Sequence, residues 1–159
     1  MTAEISSCGT YRYTLTRKIS DSSWWGTRKI LFIMLNPSSA DATKNDPTIR
    51  RCISFAEQQK CSNLTVVNLF ALRATDPKEL IKHSDPVGPL NDTRIAEIVA
   101  NHDPIHDIIV AAWGSHPFAK ERVVEVIDRF GPFLCLGKTK DGSPRHPLYV
   151  KNGTSLIEL

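Results

Sequence analysis

A chain of 159 residues with 41% hydrophobic and 23% charged content has the length and balance of one globular domain able to bury a sizeable core. Its net charge of +3 excludes a strongly acidic or strongly basic protein, and is compatible with nucleic acid without demanding it. The cysteines (Cys8, Cys52, Cys61 and Cys135) lack C-x-x-C spacing, no apolar run approaches roughly 18 residues, and the N-terminus has no leader pattern. These features predict a soluble cytoplasmic protein with free thiols, no membrane partner, no metal and no cofactor.

In chain order, residues 1–10 read as a frayed terminus. Tyr11 to Ile19 alternates aromatic or aliphatic residues with polar ones, which predicts a half-exposed strand at a sheet edge. Asp21 to Thr27 reads as a turn whose Trp24 and Trp25 either cover a sheet edge or stack on bases. Ile30 to Leu35 is continuously apolar and predicts a strand buried on both faces, broken at Asn36-Pro37-Ser38-Ser39. Asn45-Asp46-Pro47-Thr48 then predicts a helix start, with Asp46 or Asn45 as cap and Pro47 first in the helix. Ile49, Cys52, Ile53 and Ala56 follow at helical spacing. Arg50 and Arg51 lie near the positive end of that helix, so a negative group should sit close by, either Asp46 or a ligand.

Leu64 to Leu69 predicts a second core strand with Asn68 at its end, followed by a loop carrying Arg73. Asp76-Pro77 starts a short helix, and Leu90-Asn91-Asp92 starts another with Ile95, Ile98 and Val99 inward. Asp107 to Ala112 is a third strand ending in Trp113-Gly114-Ser115-His116. In the long helix that follows, Ala119, Val123, Val126 and Ile127 should face inward, and Lys120, Glu121, Arg122 and Glu125 mostly outward. Pro132 to Leu136 is a fourth strand, and Gly137 to Tyr149 a polar tail.

Strands alternating with helices predict one α/β domain over residues 1–159. The expected architecture is three-layer α/β/α with a central, mainly parallel four-stranded sheet and an N-terminal edge strand or hairpin. Such a sheet collects Asn36, Asn68, Trp113 to His116 and the tail along one edge. Lys138, Arg145 and His146 beside Pro147, Leu148 and Tyr149 suit a phosphate-contacting loop with a pinned end. Asn36 reads either as a turn cap or as a site residue, and Asn68 either as a partner of loop backbone or as a ligand contact.

The order of these stretches resembles the uracil-DNA glycosylase superfamily. Met34-Leu35-Asn36-Pro37-Ser38 is similar to its first motif, Asn68 in VVNLF to its base-reading asparagine, and AAWGS with Ala119-Lys120 to its third motif. His146-Pro147-Leu148 stands at the final H-P-S. The sequence departs from the pattern at Met34, where the motif has glycine, and at Leu148, where it has serine. Residues 29–150 also resemble the domain-of-unknown-function 1643 family, through LNPSSAD, NDPTIRRC, VVNLFALRATDP, AWG and LGKTKDGSPRHPLY.

The glycosylase resemblance implies hydrolysis of an N-glycosidic bond in DNA, a nucleotide or a nucleoside. Asn36 and His146 would be catalytic, holding the water and stabilising the departing base. Pro37, Ser38, Asp46, Arg51, Asn68, Arg73, Trp113, Lys138 and Arg145 would bind substrate. The alternative is a non-catalytic nucleotide- or DNA-binding module on the same fold, favoured by Met34 and Leu148. The partner expected is DNA, a nucleotide or a nucleobase, and the chain is expected to be a monomer.

Overall fold

A run of apolar residues makes a stable strand only where both faces are covered. In the computed structural model, which describes residues 1–21 and 27–159, both faces of that run are covered. The elements are β1 (Thr2–Ile5), β2 (Arg12–Lys18), β3 (Lys29–Met34), α1 (Pro47–Gln58), β4 (Asn63–Asn68), α2 (Lys78–Lys82) and α3 (Asn91–Ala100). Then come β5 (Ile108–Ala111), α4 (Lys120–Phe130), β6 (Leu134–Cys135) and β7 (Ile157–Glu158), with 3-10 turns at Pro117–Ala119 and Pro147–Tyr149.

The strands form one seven-stranded sheet in the order β1-β2-β4-β3-β5-β6-β7. β4, β3, β5 and β6 are mutually parallel, while β1, β2 and β7 add antiparallel at the two edges. This corrects the expected four-stranded sheet. The apolar strands of the sequence form its middle, and the alternating segment gives β2 beside them. The outermost strands β1 and β7 are short segments held by backbone pairing, which leaves no hydrophobic period to read there. Residues 1–10 supply edge strand β1, so β2 lies second from the edge. Trp24 and Trp25 lie outside the described residues. No helix among the described residues is long and apolar enough to cross a membrane.

β3 alternates between two cores. Ile30, Phe32 and Met34 pack with Ile49, Cys52, Phe55 and Ala56 of α1, whereas Leu31, Ile33 and Leu35 pack with Ile95 of α3 and Val126 of α4. Helices therefore cover both faces, the α/β class expected. Each fully buried side chain of this kind contributes roughly 1.5–3 kcal/mol. In α4 the inward stripe includes Arg122, only 7% exposed, which corrects its outward placement. It stands three residues after Ala119 and four before Val126, so helical periodicity turns it inward. Its Nε donates to the Leu69 carbonyl at 2.9 Å, and its guanidinium pairs with Asp92 and Glu125. Ile127, expected inward, is exposed.

β2 carries two more buried arginines, Arg12 and Arg17. Arg17 donates through Nε to Asn45 Oδ1 at 2.6 Å and through Nη2 to the carbonyls of Asp41 and Lys44 at 2.5 and 3.3 Å. Its Nη1 reaches the Thr2 and Thr16 carbonyls, and Arg12 Nη1 donates to the Ala40 carbonyl at 2.7 Å. Residues an odd number apart point to opposite faces of a regular strand. The β1–β2 register, however, skips Tyr13: Glu4 pairs with Thr14, and Ile5 with Arg12. The irregularity resets the alternation, and both guanidiniums reach the 40–45 segment. Arg17→Met keeps an apolar stem and strips those donors from the loop. We expect a loss of about 3 kcal/mol, read as a Tm drop of roughly 6–12 °C for a chain of this size; an unchanged Tm would show that the loop stands without it.

Candidate functional site

Open parallel sheets form a crevice where neighbouring connections leave in opposite directions. Here β3 leads through α1 to β4 on one side, and β5 leads through α4 to β6 on the other. Between the C-terminal ends of β3 and β5 lies a cavity of about 420 Å³. Its wall takes Met34 to Asn36 and Ser38 after β3, Asp46 and Ile49 at the start of α1, and Asn68 from β4. Trp113 to His116 after β5, and Arg145 and His146 from the tail, complete it.

The two asparagines differ. Asn36 spends its amide donors on loop backbone, with Nδ2 at 3.0 Å from the Pro37 carbonyl and 2.8 Å from that of Ala74. Its Oδ1 has no protein partner among the described residues and remains an acceptor. Asn68 is 1% exposed, and neither Nδ2 nor Oδ1 has a partner among the described residues. Its carboxamide does not bond loop backbone; the carbonyl of the same residue is instead taken by Asn91 Nδ2 at 3.0 Å. Met34 is the register partner of Asn68, so the two side chains stand side by side on one face of the sheet.

The tail folds back over the strand ends. Gly137 and Gly142 adopt positive φ, the Thr139 amide donates to the Ser143 carbonyl at 2.8 Å, and the Arg145 amide to the Gly137 carbonyl at 2.9 Å. The Gly114 amide donates to the Pro144 carbonyl at 3.0 Å, seating the tail on the turn after β5. A Cβ at Gly114 would stand 3.4 Å from His116 Nε2 and 3.8 Å from His146 Cβ, so this turn brings two histidines together. Asp141 ties the same pieces, accepting from the hydroxyls of Ser115 and Thr139, which holds its carboxyl well below the usual carboxylate range.

Burial lowers the pKa of both imidazoles. At His146 the neighbouring His116 adds to that effect and Asp46 opposes it; at His116 a bond to the Trp113 backbone opposes it. Nδ1 of His146 accepts from the Leu148 amide at 3.3 Å, which assigns the proton of the neutral ring to Nε2. The site thus holds a neutral imidazole with a donor to offer.

Asn36, Ser38, Asp46, Asn68, Trp113, Arg145 and His146 are brought together at the cavity. Pro37 is buried behind it and accepts the Ala74 amide at 3.0 Å. Three predicted cations do not line it. Arg51 donates to the carbonyls of Pro147 and Val150 and lies over the Phe55 ring at 4.9 Å, fastening the tail to α1. Arg73 donates to the Gly9 carbonyl at 3.1 Å, and Lys138 offers its carbonyl to Arg145 Nε at 3.1 Å. Asp46 caps α1 by accepting the Ile49 amide at 2.8 Å. Arg12, Thr48 and Tyr149 also line the cavity, and the sequence reading named none of them as site residues. Tyr149 and Leu148, expected to pin the tail, are exposed, and Pro147 is the buried residue there. An arginine in an alternating strand reads as a solvent position, and nothing local announces the irregularity that turns Arg12 inward. Among the described residues no three His, Cys, Asp or Glu side chains converge as metal ligands would.

A family described as "Protein of unknown function (DUF1643)" matches residues 12–148. The chain belongs to the DUF1643 family. No curated protein and no solved structure matches it. The DUF1643 span opens at Arg12 and encloses the whole cavity wall except Tyr149.

The lowered histidines have a checkable consequence. Both should titrate below the ordinary value of 6.5 when followed by imidazole NMR. Because the fold favours the neutral rings, the unfolded chain takes up protons first as the pH falls past that value. Their stabilising contribution is therefore complete above 6.5 and lost as the pH drops through the lowered values. Replacing both with glutamine should flatten the acid decline of Tm.

Proposed function

We propose that the cavity binds a nucleobase and that the chain hydrolyses its N-glycosidic bond, in DNA or in a nucleotide. The observation that carries this reading is the Asn68 carboxamide, buried beside the cavity with both polar atoms unpaired. Leaving such groups unpaired costs about 1–3 kcal/mol each, and a planar ligand edge with one donor next to one acceptor would recover that cost. A pyrimidine presents such an edge. Tyr149, 79% exposed at the rim, offers an aromatic face to the ring.

The chemistry follows from the remaining groups. Asn36 Oδ1 accepts a hydrogen bond from a water and holds its oxygen toward C1′ of the sugar. As the water oxygen bonds to C1′, the C1′–N bond breaks and its electron pair leaves with the base. The Nε2–H of His146 donates to a base carbonyl, where that charge accumulates. An amide takes up no proton at neutral pH, so the proton released by the water passes to solvent. Turnover should be slow and should follow the stability of the departing base.

Oligonucleotides carrying uracil, mismatched and modified bases, together with free nucleotides, supply the assay. Release of at least one base is expected, and release from none would defeat the hydrolase reading. Asn68→Leu should abolish binding and release. Since it removes two unpaired polar atoms, it should hold Tm or raise it by roughly 2–4 °C per kcal/mol recovered. Met34 stands in the cavity wall where the glycosylase motif has glycine, and this favours a second reading, binding without cleavage. Saturable binding with no product would distinguish that case.

A further inference from the structure

We propose that the ligand of this cavity is a small nucleotide whose terminal phosphate is received by Arg12, an inference that rests on the base-binding reading above. Arg12 is only 2% exposed and lines the cavity. Its Nη1 is bonded to the Ala40 carbonyl, its Nε has no partner, and it forms no ion pair among the described residues. Asp46 and Asp41 favour its charge from a distance, Arg73 and Arg17 oppose it, and burial outweighs them all, bringing the guanidinium down to about 10. A buried cation so incompletely balanced is costly unless an anion completes it.

The surroundings suit an anion. The start of α1, a helix of 12 residues, reaches the same wall through Asp46, Thr48 and Ile49. The Asp46 carboxylate caps that end through the Ile49 amide and offsets its dipole, so the phosphate is placed at Arg12 and not at the helix start. Thr48 at the same wall is a residue whose hydroxyl can donate to an anion.

Three observations favour a free nucleotide over a base within a strand. A phosphate inside a polymer carries chain on both sides and stays at the protein surface, whereas Arg12 is buried. A cavity of about 420 Å³ lies in the range of roughly 300–1,000 Å³ that encloses a whole small ligand. The cations expected to follow a strand are also engaged elsewhere: Arg51, Arg73 and Arg145 all donate to backbone carbonyls of this chain.

Calorimetric titration of the full chain can test this with the common nucleosides, their 5′-monophosphates, and oligonucleotides lacking terminal phosphates. At least one monophosphate should bind roughly ten- to a hundredfold more tightly than its nucleoside. Inorganic phosphate should compete with it, and Arg12→Met should bring the monophosphate down to the nucleoside's level. Arg12→Lys keeps the charge and should retain part of the preference. The phosphate competition on the unaltered protein keeps the test valid if Arg12→Met does not fold. Equal affinity of nucleoside and monophosphate, or tighter binding of an oligonucleotide than of every monophosphate, overturns the Arg12 assignment and leaves base binding standing. No binding by any base, nucleoside or monophosphate defeats both.

Discussion

The cavity edge of the sheet depends on guanidinium groups buried beneath one loop. Between β3 and α1 the chain leaves a fully buried strand, crosses the sheet and begins a helix, and its backbone polar groups need partners on the way. Arg12 and Arg17 of β2 supply them at the Ala40, Asp41 and Lys44 carbonyls, and Arg17 also holds the Asn45 side chain. With that segment held, Asp46 sits where it can cap α1, and α1 presents its start to the cavity. Arg51 acts similarly on the other side, binding the Pro147 and Val150 carbonyls and so holding the tail that carries His146. The cavity is the space left between two loops, each fastened by arginine donors to carbonyl acceptors.

Polar groups at this edge divide into paired and unpaired. The Leu69 carbonyl, just past β4, accepts from both Asn91 Nδ2 and Arg122 Nε. Arg122 is buried away from the cavity wall with its three nitrogens all engaged. Asn91, also away from the wall, engages its Nδ2 and leaves Oδ1 without a partner among the described residues. Asn68, one residue earlier, and Arg12 leave polar atoms unpaired at the cavity itself. Folding alone gains nothing from such atoms. They lie at the topological crossover of the sheet, on the same cavity wall as Asn36 and His146, and the proposed nucleobase binding is what would pair them.

Much of the fold was legible locally. The apolar runs at Ile30–Leu35 and Leu64–Leu69, and the Asp46-Pro47 cap, are short-range signals, since burial on both faces and helix capping leave their mark within a few residues. The alternation of strands and helices itself places Asn36, Asn68, Trp113 and His146 along one edge, without reference to any contact. The sequence by itself therefore determined the α/β class, the middle of the sheet and most of the cavity wall.

Tertiary structure decided the rest, because the deciding contacts join residues far apart in the chain. β1 and β7 are held by backbone pairing and carry no periodicity of their own. Arg51 looked like a cation waiting for an anion near a helix start, yet its partners are carbonyls 96 and 99 residues away. Helical spacing turns Arg122 inward, but only Asp92 and the Leu69 carbonyl, distant in the chain, give its buried guanidinium partners. Arg12 entered the cavity through a one-residue skip in register with β1. A guanidinium is equally at home in solvent, in an ion pair or on a carbonyl, and only the partners that folding brings to it select among these.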